Sequence, residues 1–176
     1  LFITDGEMYA CEGGIALLCG ENARLKIYPK PETPPCGFVC AGDDGVFGVY
    51  EKKIDVPSVS VQICGQRQGD GYTDYALQCE GVCEDAHAVR LSIGYEGDRL
   101  EILLDGEKIA DDYYTGRPYV LGLRGYAYPS RITVRVYEMR QDAFVYTEYP
   151  PEFENGKACR LKDVRAAVQM RVLLKE

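Results

Sequence analysis

The residues best equipped for chemistry crowd into one segment: Asp111, Asp112, Tyr113, Tyr114, Arg117, Tyr119, Arg124, Tyr126 and Tyr128. Aromatic rings beside carboxylates and guanidinium groups are the mixture a sugar site needs. A ring face packs on the C–H face of a pyranose, and fixed charges exchange hydrogen bonds with its hydroxyls. Asp111, Asp112, Tyr113, Tyr114, Arg117, Tyr119 and Tyr126 are therefore the candidate carbohydrate-binding residues. The plainer account has the tyrosines fill one end of a folded domain with their hydroxyls in water, while Asp112 and Arg117 hold a turn. Catalysis by the Asp111–Asp112 pair is disfavoured, because adjacent residues on an extended chain point to opposite faces. Glycosidic cleavage needs carboxyl groups facing one another about 5 to 10 Å apart. No catalytic residue and no cofactor is expected.

Other reactive residues are read more simply. His87 is the single histidine and has no Ser or Cys partner in its local sequence, so a surface or strand-start position is expected. Asp43-Asp44 and Asp70 could attract calcium, but no D-x-D-x-D-G loop is present, and plain turns are expected there. Eight cysteines are many for a chain of 176 residues. Most lie in apolar or strand-like surroundings, where a reduced thiol behaves as a small hydrophobe. The spacings Cys36-x-x-x-Cys40 and Cys79-x-x-x-Cys83 allow a four-thiolate zinc site, giving a zinc-stabilised structural domain as an alternative, although structural zinc favours C-x-x-C. Reduced thiols and a cytoplasmic location are expected, with no bound metal.

Composition narrows the partners. Hydrophobic residues make up 46% and charged residues 27%, values of a folded globular chain, and the net charge of −8 repels nucleic acid. No apolar run reaches the roughly 20 residues that span a bilayer, and no signal sequence opens the chain, so neither nucleic acid nor membrane is expected as a partner. The chain starts at Leu1 in strand-like sequence, which leads to the expectation of a piece of a longer polypeptide.

Hydrophobic periodicity must position these residues, and the period is two. Val89, Leu91, Ile93 and Tyr95, then Leu100, Ile102 and Leu104 across a Gly97-containing turn, read as two antiparallel strands. Asp105-Gly106 supplies a type I′ hairpin turn. Ile132, Val134 and Val136 give another strand, and Tyr75, Leu77 and Cys79 one more. Ile15 with Leu17, and Leu25 with Ile27, mark earlier strands, and residues 29–35 form a rigid proline-rich connector. AGDDG from Ala41 reads as a turn and Val46 to Tyr50 as a strand. Lys52 to Cys64 reads as a strand that Pro57 confines to an edge or bulge, and QRQGDGYTD as a surface loop. Residues 142–150 read as a strand, and Asn155-Gly156 as a turn. The final segment fits strand and helix patterns; five matches to the period of two favour strand. Ten to twelve short strands predict an all-β, antiparallel sandwich or jelly roll, with an N-terminal β segment over 1–45 and the sandwich domain over 46–176.

The segment GDRLEILLDGEKIADDYYTGRPYVLGLRGY resembles a region near the C-terminus of bacterial proteins related to the β-galactosidases of the glycoside hydrolase class. The features in common are Gly97, Asp98, Leu100, Leu103, Asp105 and Gly106, then Asp111 to Tyr114, Gly116, Pro118, Tyr119, Gly122 and Leu123. The likeness covers residues 85–172 well, 46–84 faintly and the first 45 hardly at all. It implies a galactose-binding-like jelly roll that is non-catalytic, packs beside the catalytic domain of the same parent polypeptide and contacts oligosaccharide weakly. An autonomous carbohydrate-binding module is the alternative. One departure is chemical: Tyr119 stands where that family has Trp, the stronger sugar-stacking ring, and the chain has no Trp.

Overall fold

The computed structural model describes residues 1–81, 86–143, 145 and 147–174. Among them the chain is an antiparallel β-sandwich protein with no α-helix, and none of its elements is a helix long and apolar enough to cross a membrane. It divides into two compact units: Leu1–Pro57, Cys83–Ala88 and Val168–Glu176 form the first, and Ser58–Val82 with Val89–Ala167 the second.

In the first unit, β1 (Phe2–Thr4), β4 (Asn22–Ile27), β6 (Phe47–Lys53) and β5 (Val39–Asp44) make a four-stranded sheet in the order β1-β4-β6-β5. β2 (Glu7–Cys11) pairs with β3 (Gly14–Cys19), and β3 pairs with the end of the last strand, β16 (Arg160–Leu174), from Met170↔Cys19 to Leu174↔Ile15. Alternation sends Leu17, Cys19, Ala23, Leu25, Ile27, Tyr50, Val172 and Leu174 into one core with Phe38. Each large aliphatic side chain buried there contributes about 1.5–3 kcal/mol. The AGDD segment expected as a turn lies inside β5, with the turn displaced to Gly45-Val46. A bulge between Cys40 and Gly42 carries the strand through these small and acidic residues.

In the second unit, β7 (Ser60–Gln68), β8 (Tyr72–Glu80), β10 (Arg99–Leu104), β11 (Glu107–Tyr113) and β13 (Arg131–Tyr137) form a sheet ordered β11-β10-β13-β8-β7. The facing layer has β9 (Ala88–Glu96) between β12 (Tyr119–Gly122) and the first part of β16. Leu77, Leu91, Ile93, Leu100, Ile102, Val134 and Val136 are buried between the layers. Small pieces complete it: a 3-10 turn at Leu123–Tyr126, and a hairpin of β14 (Met139–Arg140) with β15 (Lys157–Ala158).

Several local expectations are corrected. β9 and β10 do not pair with each other; they lie in different sheets, and the turn at Gly97-Asp98 carries the chain from one layer to the other. The crossing is tight: a Cβ on Gly97 would sit 2.4 Å from the Tyr137 carbonyl oxygen and 2.6 Å from Val136 Cγ1. Residues 54–59 are not strand, and β7 instead runs on to Gln68, so that Gln66 and Gln68, expected in a loop, belong to an edge strand. Only Gly69 to Gly71 turns. Within 142–150, Phe144 and Tyr146 lie outside the described residues, and the described ones form no strand. β16 is a strand throughout its 15 residues. Asp105 and Gly106 both adopt positive φ (50° and 87°), as a type I′ turn demands, and Asn155-Gly156 does the same (52° and 78°).

Candidate functional site

β11 positions Asp111, Asp112 and Tyr113, and Tyr114 directly follows it. It is the edge strand paired to β10, and the register shifts where Ile102 faces Ala110 but Leu103 faces Lys108. Ile109 is the extra residue, and the bulge brings Lys108 and Asp111 to the same outer face, where Lys108 Nζ lies 2.8 Å from Asp111 Oδ2. That ammonium holds the Asp111 carboxyl below its ordinary range. Tyr113 follows on the same face and is 68% exposed.

Asp112 and Tyr114 alternate inward. The Tyr95 hydroxyl reaches across from β9 and donates to the Asp112 carbonyl oxygen at 3.1 Å, with Oδ2 at 3.3 Å. The buried Tyr114 ring packs edge-on against Tyr95, centroids 5.6 Å apart. Burial pushes the Asp112 carboxyl up, outweighing the Tyr95 hydrogen bond. The two aspartates thus diverge, one outward on a lysine and one inward on a phenol, and do not flank a common point.

The remaining candidates separate. Arg117 Nη2 donates to Glu148 Oε1 at 2.9 Å on an exposed loop. Tyr119 begins β12 opposite Ile93, half-buried, with Tyr126 and Asp112 among the groups that raise its phenol after burial itself. The Tyr126 hydroxyl donates to the Ile109 carbonyl at 3.4 Å and so braces the bulge. Gly116, in the turn between them, needs its identity twice: φ is +88°, and a Cβ would meet Tyr149 Cβ at 2.4 Å.

Outward-facing residues of neighbouring strands extend Asp111 and Tyr113 into two cross-sheet rows. The first follows the register Arg67↔Asp74, Asp74↔Arg135, Arg135↔Glu101 and Glu101↔Asp111, so charges alternate across four strands and end in two neighbouring carboxylates, which share Lys108 at 3.9 and 2.8 Å. Arg135 grips Asp74 with both arms, Nε to Oδ1 at 2.7 Å and Nη2 to Oδ2 at 3.0 Å, and Arg67 adds a contact at 3.1 Å. Asp74 is only 7% exposed, yet the Arg135 hydrogen bond outweighs burial and holds its carboxyl below the ordinary range. Beside it runs a row of planar groups. The Arg135 guanidinium lies 4.0 Å from the centroid of Tyr72, Arg99 lies 4.2 Å from that of Tyr137, and Arg99 pairs in register with Tyr113. The Tyr137 hydroxyl donates to Glu101 Oε2 at 2.8 Å.

Of the rings on this face, Tyr72 and Tyr137 carry guanidinium groups, while Tyr113 is the one most open to solvent. Chemically the face can offer a stacking ring flanked by a fixed cation, Arg99, and a fixed anion, Asp111. Arg67, Tyr72, Asp74, Arg99, Glu101, Arg135 and Tyr137 were not singled out from sequence. The available signal was outward alternation, as in Arg135 between the buried Val134 and Val136.

The other readings meet the structure as follows. Cys36 and Cys40 are exposed, Cys79 is buried in β8, and Cys83 lies outside the described residues; among those described, no group of three or more His, Cys, Asp or Glu could hold a metal. The zinc site is thus not assembled there. Cys11, Cys19, Cys36, Cys40, Cys64, Cys79 and Cys159 are free thiols, and burial pushes those of Cys19, Cys79 and Cys159 up. Asp43 and Asp44 end β5 on Lys30 and Lys26, at 2.9 and 2.5 Å. His87 sits in the bend before β9. Comparison with protein families, with curated proteins and with solved structures gives no match.

Proposed function

We propose that the chain is a non-catalytic accessory module, a jelly roll of the galactose-binding-like kind, from a larger polypeptide related to the β-galactosidases. Its role is mainly structural, beside the catalytic domain of the same polypeptide, with weak carbohydrate contact. Two lines support this. The resemblance over residues 85–172 points to that setting, and Asp111 and Asp112, the pair most open to a catalytic reading, diverge across β11. The observation that carries the sugar contact is Tyr113, its ring exposed between Arg99 and Asp111 at the edge of an otherwise interlocked face. A single stacking ring without Trp fits weak rather than tight binding.

The test is a galacto-oligosaccharide titration followed by amide chemical shifts, with a glycoside hydrolysis assay in parallel. Shifts at Asp111 to Tyr113 that disappear in Tyr113→Ala, and no hydrolysis by the chain alone, are expected. Hydrolysis of a glycoside by the chain alone would overturn the proposal, as would the absence of any sugar-dependent shift.

A further inference from the structure

We propose that the second unit carries a separate sugar site, a polar cleft beneath the edge strand β7 that accepts a neutral or amine-bearing sugar and rejects an acidic one. It deepens the reading of the chain as a sugar-contacting module and rests on it. The cleft has a volume of about 460 Å³, within the range of small-molecule sites. Gln66, Gln68 and Tyr72 line one wall; Asn155, Lys157 and Arg160 line the other.

The cleft is built from fixed groups. Arg160 is gripped by three carboxylates: Nε donates to Glu96 Oε2 at 2.7 Å, Nη2 to Glu152 Oε2 at 2.8 Å, and Nη1 to Glu154. Glu96 is 3% exposed and also accepts from Lys162 Nζ at 2.9 Å. Lys157 Nζ lies 2.9 Å from Glu138 Oε2, and so the second wall is held from both cations. At the end of the first wall, the Gly69 N–H donates to the Tyr72 carbonyl oxygen at 2.9 Å and closes the turn. Glu152 and Glu154 stay 79% and 76% exposed, so the fixed element is Arg160 on the buried Glu96, which loses little freedom when a ligand arrives.

Against this frame stand three side-chain amides, from Gln66, Gln68 and Asn155, each able to donate and accept at once. That is the pattern vicinal hydroxyls require. Among the charged lining residues, Asp70, Glu138, Glu152 and Glu154 outnumber Lys157 and Arg160. The excess of carboxylate favours hydroxyl or ammonium donors and opposes a second anion. Gln66 and Gln68 share the inward parity of Tyr75 and Thr73, their partners on β8, but stay exposed because β7 overhangs the core. With no core residue over them, these two amides are open to a polar ligand.

The test uses the full chain, with galactotriose, chitotriose in its deacetylated form, and trigalacturonate as probes, followed by amide shifts of Gln66 to Gly71 and Lys157 to Arg160. The galactotriose or amine-bearing probe should move these amides, trigalacturonate should not, and Gln66→Ala/Gln68→Ala should weaken the response about tenfold, the loss of one or two hydrogen bonds. Both positions are exposed on an edge strand, so the variant keeps its fold, which its spectrum verifies. Tyr113→Ala should leave the cleft response unchanged. A stronger response to trigalacturonate, or an unchanged response in the double variant, overturns the cleft. Shifts confined to Asp111–Tyr113 would sink the cleft and leave the module reading intact, whereas no response to any probe sinks both.

Discussion

The two units bear their surface charges differently. In the first, Arg24 faces Glu51 at 3.5 Å with both side chains half-exposed, and Lys26 and Lys30 meet Asp44 and Asp43 on an edge strand exposed along its whole length. Such pairs contribute about 0–1 kcal/mol each. In the second, Asp74 is buried beneath two arginines and a tyrosine layer, and Glu96 beneath Arg160 and Lys162. A carboxylate removed from water costs several kcal/mol unless its geometry is nearly complete. The second unit thus adds buried charges to solvated pairs of the kind found in the first, such as Arg140 with Asp142, and both proposed sugar contacts lie in it.

The largest effect expected from breaking this contrast is at Asp74. Asp74→Asn leaves Arg135 half-buried without its counter-charge and should destabilise the second unit by about 3 kcal/mol, read from urea unfolding. Its pH dependence has a defined sign. Because the folded carboxyl lies below its usual value of 3.8, the stabilisation is fully present above that value and is lost as pH falls through the lower folded one. The gap between wild type and Asp74→Asn should therefore be constant at neutral pH and close in strong acid. Asp112 acts in the opposite direction, its raised carboxyl being relieved as pH falls.

Next in size is Gly97→Ala, where a methyl group would press on the backbone of Tyr137 and should cost about 2 kcal/mol, with loss of amide protection at Asp98, whose N–H donates to the Tyr137 carbonyl. Asp44→Asn, the matching change in the first unit, should cost less than about 1 kcal/mol. The smallest change in stability belongs to Tyr113→Ala, within about 0.5 kcal/mol, measured by the same unfolding curves. Its effect should appear in the sugar-dependent shifts alone.

How legible this was differs by kind of feature. Strands whose buried residues alternate, such as β9, β10 and β13, were readable, as were the turns at Asp105-Gly106 and Asn155-Gly156, because local sequence determines both. Pairing was not: Gly97 looks like a hairpin turn until Tyr137 is seen against it. Gln66 and Gln68 read as loop because an edge strand need not be apolar. Of the candidate site, Asp111 to Tyr126 stood out by being neighbours in sequence. Arg135 and Asp74 are 61 residues apart and meet only through strand register, which no local pattern announces. The return of β16 to β3 is hidden for the same reason.

The most direct test of the central claim is one titration of the intact chain with galactotriose, recording amide shifts while new reducing ends are assayed in the same sample. Reversible shifts within the second unit and no new reducing ends are predicted. Released sugar, or a second unit unmoved at saturating ligand, would contradict the account.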